Sequence, residues 1–574
     1  MNFKKLILSN FLLISIPLTV LSCENKSSNS ALTISDYEKL KKYSITETRH
    51  LNYDRFFKLA TYLANDESPS IYFSRNAGQF YNTSFYLLSL ELSKLKEHLN
   101  KKILYLMNEE VYNPENSISR FNFENILNEY GDILKTEDGQ LGIVSNTKYL
   151  TNNKTDISYA NFVDSKHELE QYINYLALNN NKKANVIMCD ISFDDLDDAT
   201  RNKLFKVAKK IILLPDGNAQ PFKFINNDYL NWVKTEKDAL SEEQIQKQFI
   251  EFVNSDKETL DMNYHNLYRL KNYIEIYNID GRYIDFFNNE IENLNKSEYK
   301  IDVYDFPINV NKSYLDKGYN FDFNKVISLY DDINKLSNKS LLELLDKPQE
   351  YDKNKKNLIY LGSSLFTKYT SLADQGKYRV EYNLEASKEI EEYFDKLMEL
   401  YPPQEYNYLF KLHPVYKGEE AKIYLSKLTK NKVPNPILID SSVSWENILM
   451  KEYEKLKTNE SILFDKNDFK NNNSKTVLTG LQATSTTLLS TYTFLVSEFN
   501  IDLKKSYAFL NPKNFPISNK FNLVFRDKNL GNDLKMYNEN KKLMINVLAY
   551  YMLSNVFPSL DEFISTNEFL KREN

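Results

Sequence analysis

The sequence predicts an α/β fold of two facing domains, each a parallel sheet with crossover helices, joined by a helical segment and preceded by a signal peptide. Three observations predict it. The chain has 574 residues, too many for one ordinary core. From about residue 68, short β-rich apolar runs alternate with longer helical ones, the pattern of parallel sheets. Gly217, Gly362 and Gly480, three of only 12 glycines, all fall at the ends of strand-like runs.

The amino terminus pairs Lys4 and Lys5 with an apolar run from Leu6 to Leu21, interrupted by Pro17, and then Ser22-Cys23. That is a secretory signal rather than a membrane helix. Val20-Leu21-Ser22-Cys23 resembles a bacterial lipobox, which implies lipidation at Cys23, an extracytoplasmic address at the cell membrane or surface, and a lipoprotein signal over residues 1–22. An ordinary signal or anchor with an incidental cysteine is the alternative. Residues 23–67 are read as a tether and extension, polar from Glu24 to Ser30.

In the first domain, 68–350, strands are expected at Ile71-Tyr72-Phe73, Ile103 to Met107, Ala184 to Cys189 and Lys210 to Leu214, with a helix from Asn82 to about Leu99. Cys189 reads as a small buried hydrophobe. The stretch from about 228 to 350, with charges at helical spacing and a helix start at Ser241-Glu242-Glu243-Gln244, reads as largely helical. In the second domain, 351–540, strands are expected at Asn357 to Leu361, Tyr408 to Phe410, Pro436 to Asp440 and Lys475 to Leu478, with a helix at about 385–400. Residues 541–574 read as an amphipathic helix returning to the first domain.

Composition narrows the function classes. Hydrophobic residues make up 42% and charged residues 26%, as in a globular protein. A net charge of −6 with Lys and Arg spread along the chain argues against nucleic-acid binding. Neither a Walker A sequence nor a G-x-G-x-x-G fingerprint occurs. The 42 Tyr and 35 Phe accompany many Asn and Lys, a compositional bias that carries no case for sugar stacking.

The residues that point to chemistry lie at strand ends. Tyr408-Leu409-Phe410-Lys411-Leu412-His413-Pro414 delivers a cation and an imidazole just before a forced turn, in the position where open α/β sheets bind ligands. Only five histidines occur, so His413 stands out. Glu446, near the start of the helix after Ile437 to Asp440, is placed either to hold ribose hydroxyls or to serve as an N-terminal helix charge or capping box. Thr479-Gly480-Leu481-Gln482-Ala483-Thr484-Ser485-Thr486-Thr487 offers hydroxyls and amides at a helix start, suited to a phosphate or to an ordinary cap.

Taken in order, these pieces resemble the bacterial sialyltransferases that use a CMP-activated donor and two Rossmann-like domains in the GT-B arrangement. Ile211-Ile212-Leu213-Leu214-Pro215-Asp216-Gly217 resembles that family's Asp-Asp-Gly turn, with Pro215 replacing the first Asp. Gly362, Ser363, Ser364 and Phe366 resemble its Gly-Thr-Thr-Thr-Trp loop, Phe410 to Pro414 its Lys-Gly-His-Pro motif, Val443 to Met450 its Ser-Phe-Glu segment, and Gly480 to Thr486 its Ser-Ser loop.

The resemblance implies a surface-anchored inverting transferase that moves sialic acid from a CMP-sugar to a glycan hydroxyl, with no obligatory metal or further cofactor. It implies His413 as general acid, Lys411, Pro414, Gly362, Ser363 and Ser364 on the donor side, Glu446 on the ribose, and Thr484, Ser485 or Thr486 on the phosphate. Phe366 and Ser74 would meet the acceptor. Ser74 stands where the family places a catalytic Asp, and Asp216 is the candidate substitute. A non-catalytic glycan- or host-binding lipoprotein on the same fold, a transferase for another sugar nucleotide, and a solute-binding lipoprotein are the competing readings.

Overall fold

The computed structural model describes residues 52–73, 78–95, 101–107, 141–145, 166–217, 240–262, 264–279, 284–285, 288–289, 300–308, 310–334, 339–362, 393–413, 416, 418–441, 443–468, 474–479 and 485–500. The fold is α/β with two parallel sheets, and the chain divides into two compact units at Asn338/Lys339. Among the described residues, no helix is long and apolar enough to cross a membrane.

The first unit holds a seven-stranded sheet of order β3-β2-β1-β4-β5-β6-β7. The strands are β1 (Ser70–Phe73), β2 (Ile103–Met107), β3 (Leu141–Ser145), β4 (Ala184–Cys189), β5 (Ala208–Leu214), β6 (Ile274–Asn278) and β7 (Val303–Asp305), every pair parallel. Chain order reverses between β1 and β4, the switch point of a doubly wound sheet. Helices α1 (Asp54–Asn65), α2 (Gly78–Lys94), α3 (Lys166–Tyr175), α4 (Asp190–Asp195), α5 (Asp198–Val207), α6 (Glu242–Val253) and α7 (Phe323–Asn334) accompany it.

Three expectations are refined here. The stretch 228–350 carries more helix than strand among the described residues, as expected, but it also contributes β6 and β7, which extend the sheet. Helix α1, in the stretch read as tether, belongs to this unit: Phe56 is buried against Tyr86, Tyr277 and Phe306, and Arg55 pairs with Glu275 at 2.6 Å. Helix α2 also begins earlier than Asn82.

Polar groups buried near the amino ends of the strands are fully engaged. Glu91 of α2 accepts from Ser70 Oγ and Tyr72 Oη, each at 2.7 Å, and pairs with Lys101 at 2.8 Å. All of these are inaccessible to solvent, so the charges persist only because each has its partner. Glu275 of β6 likewise takes Arg55, Lys210 and Tyr277 Oη, which hold its carboxyl below its ordinary value against the opposing effect of burial. Tyr72 stacks on Tyr105, with ring centroids 5.4 Å apart, and Tyr81, Tyr268 and Tyr277 are also fully buried. These tyrosines fill the core.

The second unit holds a four-stranded parallel sheet, β10-β9-β8-β11, of β8 (Lys356–Leu361), β9 (Tyr406–Lys411), β10 (Ile437–Ile439) and β11 (Thr476–Thr479). Its order repeats the first four places of the other sheet, with the reversal between β8 and β11. Helices α8 (Gly418–Thr429), α9 (Trp445–Lys457) and α10 (Ser485–Phe499) belong to it, and residues 393–400 are helical. Leu345 bridges Ile439 in antiparallel sense, so 339–350 joins this sheet rather than the first. The expected carboxyl-terminal helix lies outside the described residues.

Candidate functional site

At the end of β9, Lys411 completes the strand and Leu412 is buried, leaving His413 half-buried at the turn. The Tyr416 N–H donates to the His413 carbonyl at 3.0 Å, and Ser441 Oγ, just past β10, donates to the Tyr416 carbonyl at 2.5 Å. Lys411 Nζ donates to the Leu412 carbonyl at 3.2 Å and the Ser441 carbonyl at 3.4 Å. At 5% exposure this cation is buried, and it ties the carboxyl ends of β9 and β10 together.

Gly362 ends β8, and its N–H donates to the Lys411 carbonyl at 2.9 Å. A Cβ there would meet Leu412 Cδ2 at 3.2 Å, so the glycine permits close approach of β8 to β9. That contact, rather than an approaching phosphate, is what the described residues show for Gly362.

Beyond β10, Ser444 caps α9 by accepting from the Asn447 N–H at 3.1 Å. The capping-box reading of Glu446 fails, because Asn447 occupies the position three residues past the cap. Glu446 instead accepts from Ser490 Oγ of α10 at 2.7 Å, and Trp445 Nε1 donates to Thr491 Oγ1 at 2.9 Å. These two bonds fix the start of α9 against α10, the helix that follows β11. Ser485 and Thr486 open α10, described by backbone alone. Pro414, Ser363, Ser364, Phe366, Thr484, Ser74 and Cys23 lie outside the described residues.

Asp216 lies in the first unit, at the end of β5, 8% exposed. It has a neighbour that the sequence reading passed over. Asp190 directly follows β4 and is inaccessible to solvent. Its Oδ1 accepts from the Ile191 N–H at 2.7 Å and the Asp216 N–H at 3.0 Å. The Cys189 thiol donates to the same oxygen at 3.5 Å and lies 4.0 Å from Asp216 Oδ1, so Cys189 is a hydrogen-bonding group as well as a buried hydrophobe. Asp190 Oδ2 has no hydrogen-bond partner.

Burial, then the charge of Asp216, push the Asp190 carboxyl up to about 8, against the pull of its three hydrogen bonds. Its proton is therefore held far above the pH at which an ordinary carboxyl loses it. The signal in the sequence was the same one that marked His413: a polar residue directly after an apolar strand.

The two sheet edges are chemically distinct. One carries carboxyls at adjacent strand ends; the other carries a cation, an imidazole and a carboxylate tied to a hydroxyl. Comparison with protein-family models and with curated proteins finds no match to this chain.

Proposed function

We propose that the protein is a GT-B-type glycosyltransferase that transfers sialic acid from a CMP-sugar to a glycan hydroxyl, secreted and lipid-anchored through Cys23. The observation that carries the reading is the second unit's carboxyl edge. Lys411 ends β9, His413 follows it, and Glu446 opens the helix after β10. Adjacent strands β9 and β10 thus bring a cation, an imidazole and a carboxylate to one sheet edge, and the helix after β11 begins at Ser485.

In this reading His413 donates a proton to the departing CMP phosphate, a role suited to an imidazole, whose unperturbed pKa of ~6.5 lets both forms exist near neutrality. Lys411 supplies positive charge at the same edge. Glu446 accepts from the ribose hydroxyls, and Ser490 holds it in place. On the first unit Asp216 takes the proton from the acceptor hydroxyl, the role that Ser74 has no carboxylate to perform.

The test is CMP release from CMP-sialic acid by wild type and His413→Ala. Loss of the general acid is expected to slow release by roughly 10²–10⁴-fold. Undiminished release from the variant, or none from wild type, refutes the assignment. A thermal-shift comparison of CMP with UDP and GDP tests the nucleotide, with CMP expected to stabilise most.

A further inference from the structure

We propose that Asp190 is a positioning residue for Asp216: at the ends of neighbouring strands, its buried carboxyl holds the backbone from which the Asp216 carboxyl projects, so the two act as a pair. The inference rests on the proposed role of Asp216 as base, and it adds a residue that the sequence reading did not name. Three features of the geometry support it.

First, the Asp190 side chain accepts the Asp216 N–H at 3.0 Å, so it fixes the backbone from which the Asp216 carboxyl projects. Second, its two oxygens differ. Oδ1 takes three donors, whereas Oδ2 takes none and is buried, so Oδ2 is the atom free to hold a proton. Third, β4 lies beside β1 at the reversal of strand order, where ligands of such sheets bind.

The charge arrangement follows. Burial, and after it the charge of Asp216, oppose ionisation of Asp190. Asp190 is inaccessible to solvent while Asp216 is 8% exposed, so burial opposes ionisation most strongly at Asp190. When Asp216 accepts the hydroxyl proton, its charge no longer opposes ionisation of Asp190, and the pair shares the load.

The other titratable groups on the surrounding elements are Cys189 on β4, Asp194 and Asp195 on α4, Lys209 and Lys210 toward the amino end of β5, and Tyr72 on β1, which is bonded to Glu91. The carboxyl raised to about 6 elsewhere in the chain, Asp468, belongs to the second unit and is mostly ionised at neutral pH.

Infrared difference spectroscopy of the full chain across pH reads the pair without any substrate. Wild type is expected to show a protonated carboxyl at pH 7 that titrates near 8. The band should vanish in Asp190→Asn, and its midpoint should fall in Asp216→Asn, which removes the opposing charge. No protonated carboxyl at pH 7 in wild type, or an unmoved midpoint in Asp216→Asn, overturns the proposal, and the wild-type arm stands even where a variant fails to fold.

The pH profile of transfer is the functional readout. Asp190→Asn keeps an acceptor for the Asp216 amide but does not titrate, so the part of the alkaline fall centred near pH 8 is expected to disappear in it, while the fall set by loss of the His413 proton stays. A component near pH 8 that persists in that variant counts against the positioning role. Absence of CMP release refutes the donor reading alone, because the infrared result is obtained without donor.

Discussion

The carboxyl edges of the two sheets share a strand order and differ in charge. In the first unit, adjacent strands β4 and β5 are followed by Asp190 and Asp216, linked by a side-chain-to-amide bond of 3.0 Å. In the second, β9 ends in Lys411, with His413 after it and Glu446 across the edge on α9. The parallel topology puts the end of each strand at the same edge, and the identity of the residues there decides whether the edge suits a base or an anion. The amino side of the first sheet teaches the converse. There the buried charges of Glu91 and Glu275 each have a cation and hydroxyl donors, and their role is to hold the fold.

That contrast is broken most forcefully by Lys101→Met. The substitution leaves Glu91 buried without its cation and is expected to cost ~3–5 kcal/mol in urea unfolding, while CMP release by the folded fraction persists. Unchanged stability would mean that the amino end is not the structural end of the sheet.

A smaller effect assigns a pH window to each unit. The folded-state value of Asp190, about 8, is above the unfolded ~3.9, so between them the folded chain binds more protons and stability falls as pH rises. Asp468, raised to about 6 chiefly by burial, acts in the same sense at lower pH. Between pH 6 and 8 the slope therefore belongs mainly to Asp190, at most ~1.4 kcal/mol per pH unit. Chemical unfolding of Asp190→Asn should be flatter in that window and keep the fall between pH 4 and 6. An unaltered slope would remove the acid pair.

Much of this was legible in sequence, and the failures have physical causes. Lys411 and His413 were readable because an apolar strand stops at a cation, an imidazole and a proline. Asp190 obeys the same rule one residue past Cys189, where an apolar strand stops at a carboxyl. Strand β6 is hidden in the sequence because Glu275 stands second in it, a charge held by Arg55 and Lys210, which come from elsewhere in the chain. The short β3, Leu141–Ser145, includes Gly142 and gave no strong strand pattern. The bond from Ser490 to Glu446 joins residues 44 apart, and no local spacing announces it.

The most direct test of the division between a donor edge and a base edge is a calorimetric titration with CMP. Wild type should bind CMP saturably. Glu446→Gln, which loses the charge on the ribose contact but keeps an acceptor for Ser490, should bind about tenfold more weakly, a difference of ~1.4 kcal/mol. Asp190→Asn, on the other edge, should bind CMP as wild type does. Failure of wild type to bind CMP, or equal weakening in both variants, would contradict the account.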